Sequence, residues 1–267
     1  MILSDLLDEL RTGILRDVSD QVAGVTDQLW TDARLVRYIN EAHNRFAKRS
    51  ECLRDASTPD CCQITFKANQ EFYPLHPKVL GVLSARYQGN GTLPIDGADL
   101  ARAGHANLDT YVAVDQRYFD TQYLSTLVSG KVIAFTTDEG MVADDRNALN
   151  VIQFRTFPVV GAGYDGVCKL RVVRLPLVEL SVKNLSATPE IPEQYHLNML
   201  DWAGYLALRG PDLDIAGGDA PGRAKELAQS FEAHVQDAKR ELNRRLFPPM
   251  AFQFGQNGFT YERDWNG

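Results

Sequence analysis

The hydrophobic period of this chain changes twice, and that change constrains the fold more than any single motif. Residues 1–56 repeat apolar side chains at three- and four-residue steps, residues 62–183 run in short alternating stretches broken by Gly, Pro and Asn, and residues 190–246 return to helical spacing. Both helical zones are short and amphipathic, so neither buries its apolar stripe alone. The economical arrangement packs the first helices against the last, with the strand region inserted between two halves of one bundle. The expected fold is therefore α+β: a split helical bundle (1–56 and 189–246), an inserted antiparallel β region (57–188) and an extended C-terminal arm (247–267).

Start and stop signals sharpen the helices. Ser4 is a plausible N-cap for the first, with Asp5 in its first turn. Leu3, Leu6, Leu7, Leu10 and Ile14 form its stripe, and Gly13 weakens its end. Asp17 to Gln28 reads as a loop. Thr31 caps the second helix, and Trp30 before the cap with Leu35 beyond it suits a hydrophobic staple. Leu35, Ile39, Ala42, Phe46 and Leu53 are its buried stripe, and it ends before Ser57-Thr58-Pro59-Asp60. In the third zone Pro192 suits a first turn, and Tyr195, Met199, Trp202, Ala203 and Leu206 make an apolar face that Gly210-Pro211 terminates. Pro221 opens the last helix, whose stripe is Leu227, Phe231, Val235, Ala238 and Leu242; Pro248-Pro249 ends it. The expected bundle core is Leu6, Leu10, Trp30, Leu35, Ile39, Phe46, Trp202, Leu206, Phe231 and Val235.

Between these zones, Gln63–Lys67, Phe72–Leu75, Lys78–Tyr87, Lys131–Thr136, Val151–Phe157 and Val167–Arg174 read as strands. Gly89-Asn90-Gly91, Gly140–Asn147 and Gly161–Gly166 supply turns. Several short strands within about 120 residues suggest a small antiparallel sandwich or barrel, of unknown strand order. Pro94 to Ala106 is ambiguous, and Pro94 to Leu127 matches no recognisable pattern.

Composition excludes several classes. The 267 residues carry a net charge of −7, against phosphate-backbone binding, which needs clustered Lys and Arg. Cys52, Cys61, Cys62 and Cys168 lack zinc-site spacing and are too few for a disulfide scaffold, so they read as free thiols in a reducing compartment. The N-terminus does not read as a signal peptide, and no stretch approaches the ~20 apolar residues of a membrane span.

Candidate chemistry is thin. Asp5, Asp8 and Glu9 lie on the solvated side of a helix start. Asp144-Asp145 sits in a turn, and the Gly-rich loop with Asp212, Asp214 and Asp219 lacks the distal Glu of a Ca²⁺ loop. His43, His76, His105, His196 and His234 include no i, i+4 metal pair; His196 reads as a helix-start residue bonding to a nearby loop or neighbouring subunit. No Gly-x-Ser-x-Gly elbow is present, and Gly161–Gly166, although it resembles a dinucleotide fingerprint, opens no helix. No cofactor, metal or catalytic residue is expected.

Three segments carry a family resemblance. They are LWTDARLVRYINEAHNRFAKRSECLRD (29–55), FYPLHPKVLGVLSARY (72–87), and LRVVRLPLVEL with PEIPEQYHLNMLDWAGYLAL (170–180 and 189–208). In that order they resemble the head-to-tail adaptor proteins of podoviruses: a Trp-polar-acidic start to a Tyr-Ile-Asn-Glu-Ala helix, a Tyr-x-Leu-x-Pro strand, and an Ile-Pro-x-x-Tyr-His helix opening. The resemblance implies a virion structural protein assembled in the host cytoplasm. It implies a homo-oligomeric, dodecameric ring docked on the portal protein, with a tail nozzle or tail tube protein on its other face. Double-stranded DNA passes through the channel without sequence-specific binding during ejection, and a negative wall suits that passage.

The arm invites a binding role. Phe247, Phe252, Phe254, Phe259, Tyr261 and Trp265 stand among Pro and Gly, whereas solvated tails are usually poor in aromatics. Aromatic anchors fill pockets at interfaces, so these six are the expected portal-binding residues; packing back onto the β region is the alternative. Two other functions are conceivable: a virion-associated cell-wall glycoside hydrolase, which needs two carboxylates facing one cleft, and a carbohydrate-binding β-sandwich module, for which the helices would be surplus.

Overall fold

The computed structural model describes residues 1–17, 29–87, 109–113, 132, 134–138, 152–157, 159–209 and 220–246. It is a mixed α+β fold in which helices and a mainly antiparallel sheet hold separate cores.

Helix α1 (Leu3–Glu9) begins at Ile2, two residues before the expected Ser4 cap. Asp5 sets that start, because its carboxylate accepts from the Ile2 amide at 3.1 Å. The chain continues from α1 into a π-helical turn, Leu10–Leu15, which contains Gly13 and ends at Arg16 with φ 56°. Helix α2 (Asp32–Ser50) has Thr31 at its cap, with the Thr31 side chain accepting from the Arg34 amide. It stops earlier than expected: Glu51 turns left-handed at φ 57°, so Leu53 is buried from beyond the helix. Arg11, 7% exposed, ties the first helices together, donating to Asp17, the Trp30 carbonyl and Asp32 at 2.6–2.8 Å.

After strand β1 (Arg54–Asp55) and the single-turn helix α3 (Pro59–Cys62) come β2 (Gln63–Phe66), β3 (Phe72–Pro74), β4 (Val79–Tyr87), β5 (Asp109–Ala113), β6 (Ala134–Asp138), β7 (Gln153–Phe157) and β8 (Gly166–Arg174). They join in one sheet, ordered β1-β8-β4-β5-β6-β7-β3, with β2 also on β8. β1 and β2 follow one another along β8, with α3 between them. The all-antiparallel expectation needs correction at one place, since β5 and β6 pair in parallel. A parallel pair cannot be joined by a tight hairpin and needs a longer connection. Gly161–Gly166 is a turn, with Gly163 at φ 87° and the Tyr164 amide bonded to the Gly161 carbonyl. Alternation puts Phe66, Tyr73, Phe135, Phe154 and Leu170 into the sheet core, where Phe135 and Phe154 stack at 4.7 Å.

A 3₁₀ turn (Glu193–Tyr195) after Pro192 leads into α4 (His196–Leu208), and Pro221 lies in the first turn of α5 (Ala220–Leu246). Helix α4 is less amphipathic than its sequence suggested: Met199, Leu200, Trp202, Ala203, Gly204, Ala207 and Leu208 are all buried, around most of its circumference. It lies between α2, α5 and the π turn. Leu6, Leu10, Trp30, Leu35, Ile39, Phe46, Trp202, Phe231 and Val235 are buried in one cluster; Leu206 packs against it only partly buried, because Ala207 and Leu208 face inward instead. Phe46 meets both Tyr195 and Phe231, at 5.5 and 5.9 Å.

Candidate functional site

The helical and sheet cores meet along a polar seam, built where β8 ends. Arg174, its last residue, donates Nε to Asp55 at 2.7 Å and Nη1 to Glu190 at 2.5 Å. Asp55 is there because β1 pairs with β8, and Glu190 because the chain folds back ahead of α4. Asp55 also accepts from Ser57 and Thr58 through both their amides and their hydroxyls. Burial pushes the Asp55 carboxyl up, but the bonds from Thr58, Ser57 and Arg174 outweigh it and hold it far below the carboxylate range. Burial likewise raises Glu190, and the Val178 amide and the Arg174 guanidinium bring it below its ordinary value. A cleft of about 340 Å³ opens here, with Cys52, Arg54, Ser57, Thr58 and Pro192 around the ion pairs.

Deeper in the seam, His43 of α2 and His196 of α4 are each 1% exposed. Burial lowers His43 to about 4, with Glu190 opposing and His196 and Lys78 reinforcing the shift. His196 is lowered by burial too, against the raising effect of its Nε2 contact with the Ile191 carbonyl at 2.9 Å. Burial disfavours the charged form of both rings, and among the described residues neither His43 Nε2 nor His196 Nδ1 has a hydrogen-bond partner. His196 does bond to a nearby loop, as its place at a helix start suggested; its approach to His43 had no signature in the sequence.

The segment from Leu175 to Glu190 crosses the outside of α2. Asn40 clamps it at both backbone groups of Leu180, at 2.8 and 2.9 Å. Val178, Val182 and Leu185 remain exposed, and a groove of about 420 Å³ runs between this segment and Val36, Arg37 and Glu41 of α2.

Among the described residues, no group of three or more His, Cys, Asp or Glu is placed to hold a metal, and no helix is long and apolar enough to cross a membrane. The four cysteines are free and buried, and burial raises Cys62 to about 11 and Cys168 to about 12. Asp5, Asp8 and Glu9 are exposed. Asp144, Asp145, Asp212, Asp214, Asp219 and the arm residues Phe247, Phe252, Phe254, Phe259, Tyr261 and Trp265 lie outside the described residues.

No curated protein matches the chain. The sequence model of the SU10 adaptor proteins matches residues 1–252, which takes in every described element and the first part of the arm. With the match spanning the helices at both ends and the sheet between them, the chain belongs to the SU10 adaptor protein family, a family of phage structural proteins.

Proposed function

We propose that this protein is the head-to-tail adaptor of a tailed phage, a homo-oligomeric ring between portal and tail through which DNA is packaged and ejected. The family match over residues 1–252 carries that reading. The apolar cluster shared by residues 3–53 and 180–238 supports a split bundle as the body of each ring subunit. The arm, through Phe247, Phe252, Phe254, Phe259, Tyr261 and Trp265, is the portal-binding element; a tail nozzle or tube protein occupies the opposite face. The chemistry of the seam points the same way. A glycosidase needs one carboxyl kept protonated as a general acid. Asp55 and Glu190 share a cleft, yet both are held ionised with Arg174 between them.

Deleting residues 249–267 is expected to abolish co-sedimentation with the portal while the melting temperature stays unchanged. A large drop in melting temperature would place the arm in the subunit's own core. Negative-stain images of the full chain mixed with its portal should show rings stacked on portals; a turbidity assay on peptidoglycan should show no clearing.

A further inference from the structure

The outer face of the sheet concentrates positive charge in a chain that is acidic overall. Strand β8 alternates, so Cys168, Leu170 and Val172 are buried while Lys169 and Arg171 are exposed. On the neighbouring strand β4, Arg86 stands directly opposite Lys169, and Ser84 opposite Arg171. Residues opposite one another share a face, so the exposed Arg86 joins the other two cations. Gln63 of β2 flanks Lys169 on the far side. Strands β2, β4 and β8 contain no Asp or Glu. Among the described residues, none of the three cations has an ion pair or a side-chain hydrogen bond. Stability of the subunit does not account for this arrangement: like charges directly opposite across two strands repel, and a carboxylate at either position would hold the sheet better.

The rest of the same chain carries the opposite charge. Lys and Arg number 28 against 35 Asp and Glu, so the surface outside this face is three charges more acidic than the total of −7. On α1 alone, Asp5, Asp8 and Glu9 are exposed. Two copies therefore complement each other when the sheet face of one meets an acidic surface of the next. Such a contact uses different patches on its two partners, which is how a cyclic ring closes. Copies at −7 also repel one another, and charge pairing at their contacts offsets that repulsion. Leu83, 44% exposed at the bulge of β4 beside Ser84, adds an apolar contact to the same strand.

We propose that the sheet face bearing Arg86, Lys169 and Arg171 is a subunit contact of the ring, docking on carboxylates of the next copy. This rests on the ring reading and names one of the surfaces that closes it. Rings assembled on the portal from a mixture of isotopically light and heavy chains test it by zero-length carbodiimide coupling, which joins an amine only to a carboxylate in contact. Mass spectrometry should find Lys169 joined to an Asp or Glu of the other isotope. Arg86→Glu sets an opposite charge across from Lys169, so its melting temperature should hold or rise. The protein concentration needed for half of the chains to enter rings should nevertheless rise roughly tenfold or more. Arg86→Lys should assemble as the natural chain does. Lys169 coupled only within its own isotope, or Arg86→Glu rings formed at the natural concentration, overturns the proposal. So does salt-sensitive retention of duplex DNA by the natural chain that Arg86→Glu loses, which would give the face to phosphates. Images with no rings at all sink the ring reading and this contact with it; rings that form without the Lys169 link sink the contact alone.

Discussion

Arg174 holds two carboxylates that reach it from different parts of the chain, Asp55 and Glu190, in a side-chain environment only 12% exposed. Removing one member of such a buried set leaves uncompensated charge, which costs about 3–5 kcal/mol. Arg174→Met is therefore expected to lower unfolding stability by that amount in urea titration; a change near zero would mean that water already screens the network. His43 makes a different statement, about pH. Its ring titrates at about 4 in the fold against the ordinary 6.5. As pH falls, the unfolded chain takes up this proton first, so the fold loses stability between those two values. Above pH 6.5 the contribution is complete; by pH 4 roughly 3 kcal/mol has gone. Asp55 and Glu190, also lowered, add a loss in the same direction at still lower pH. Thermal melts from pH 7.5 to 4 should show the decline, and His43→Gln should flatten it over the upper part of that range.

Among the elements, α4 is closely surrounded at Gly204. A Cβ at Gly204 would stand 2.5 Å from the Ile14 Cγ2 and 3.1 Å from the Leu227 Cδ1. Gly204→Ala gains about 1 kcal/mol of helix propensity but overpacks a site pressed by the π turn and α5, at a cost of about 1–3 kcal/mol. Net destabilisation is expected in denaturant melts, and Ile14→Ala in the same chain should relieve it, a non-additivity that a double-mutant cycle reads directly. The same crowding explains what was legible in the sequence. Stripes such as Leu35-Ile39-Phe46 and Phe231-Val235-Ala238 announced their helices, and alternation announced Gln63–Phe66 and Gly166–Arg174. Leu53 continued the spacing of α2 and hid the left-handed stop at Glu51. The two-residue strand β1 is too short to show a period, and the parallel β5–β6 register depends on partners far apart in sequence. Least legible was the seam: Arg174 and Asp55 are 119 positions apart, and nothing local marks either as half of a pair.

At the scale of the whole molecule, charge and chain path matter more than any contact. The net charge of −7 gives an encountering duplex little to hold. In a mobility-shift assay at ~0.15 M salt the subunit should retain no double-stranded DNA; salt-sensitive retention would reveal a basic strip that the net charge conceals.

The apolar cluster that joins Leu3, Leu35 and Phe46 to Met199, Phe231 and Val235 also sets a timetable for synthesis. On the ribosome, the first two helices emerge with their greasy sides uncovered and stay so until α4 and α5 have been made. The nascent polypeptide must therefore be shielded by chaperones or fold within moments of release. Premature termination anywhere before α5 would leave a sticky fragment rather than a smaller working part.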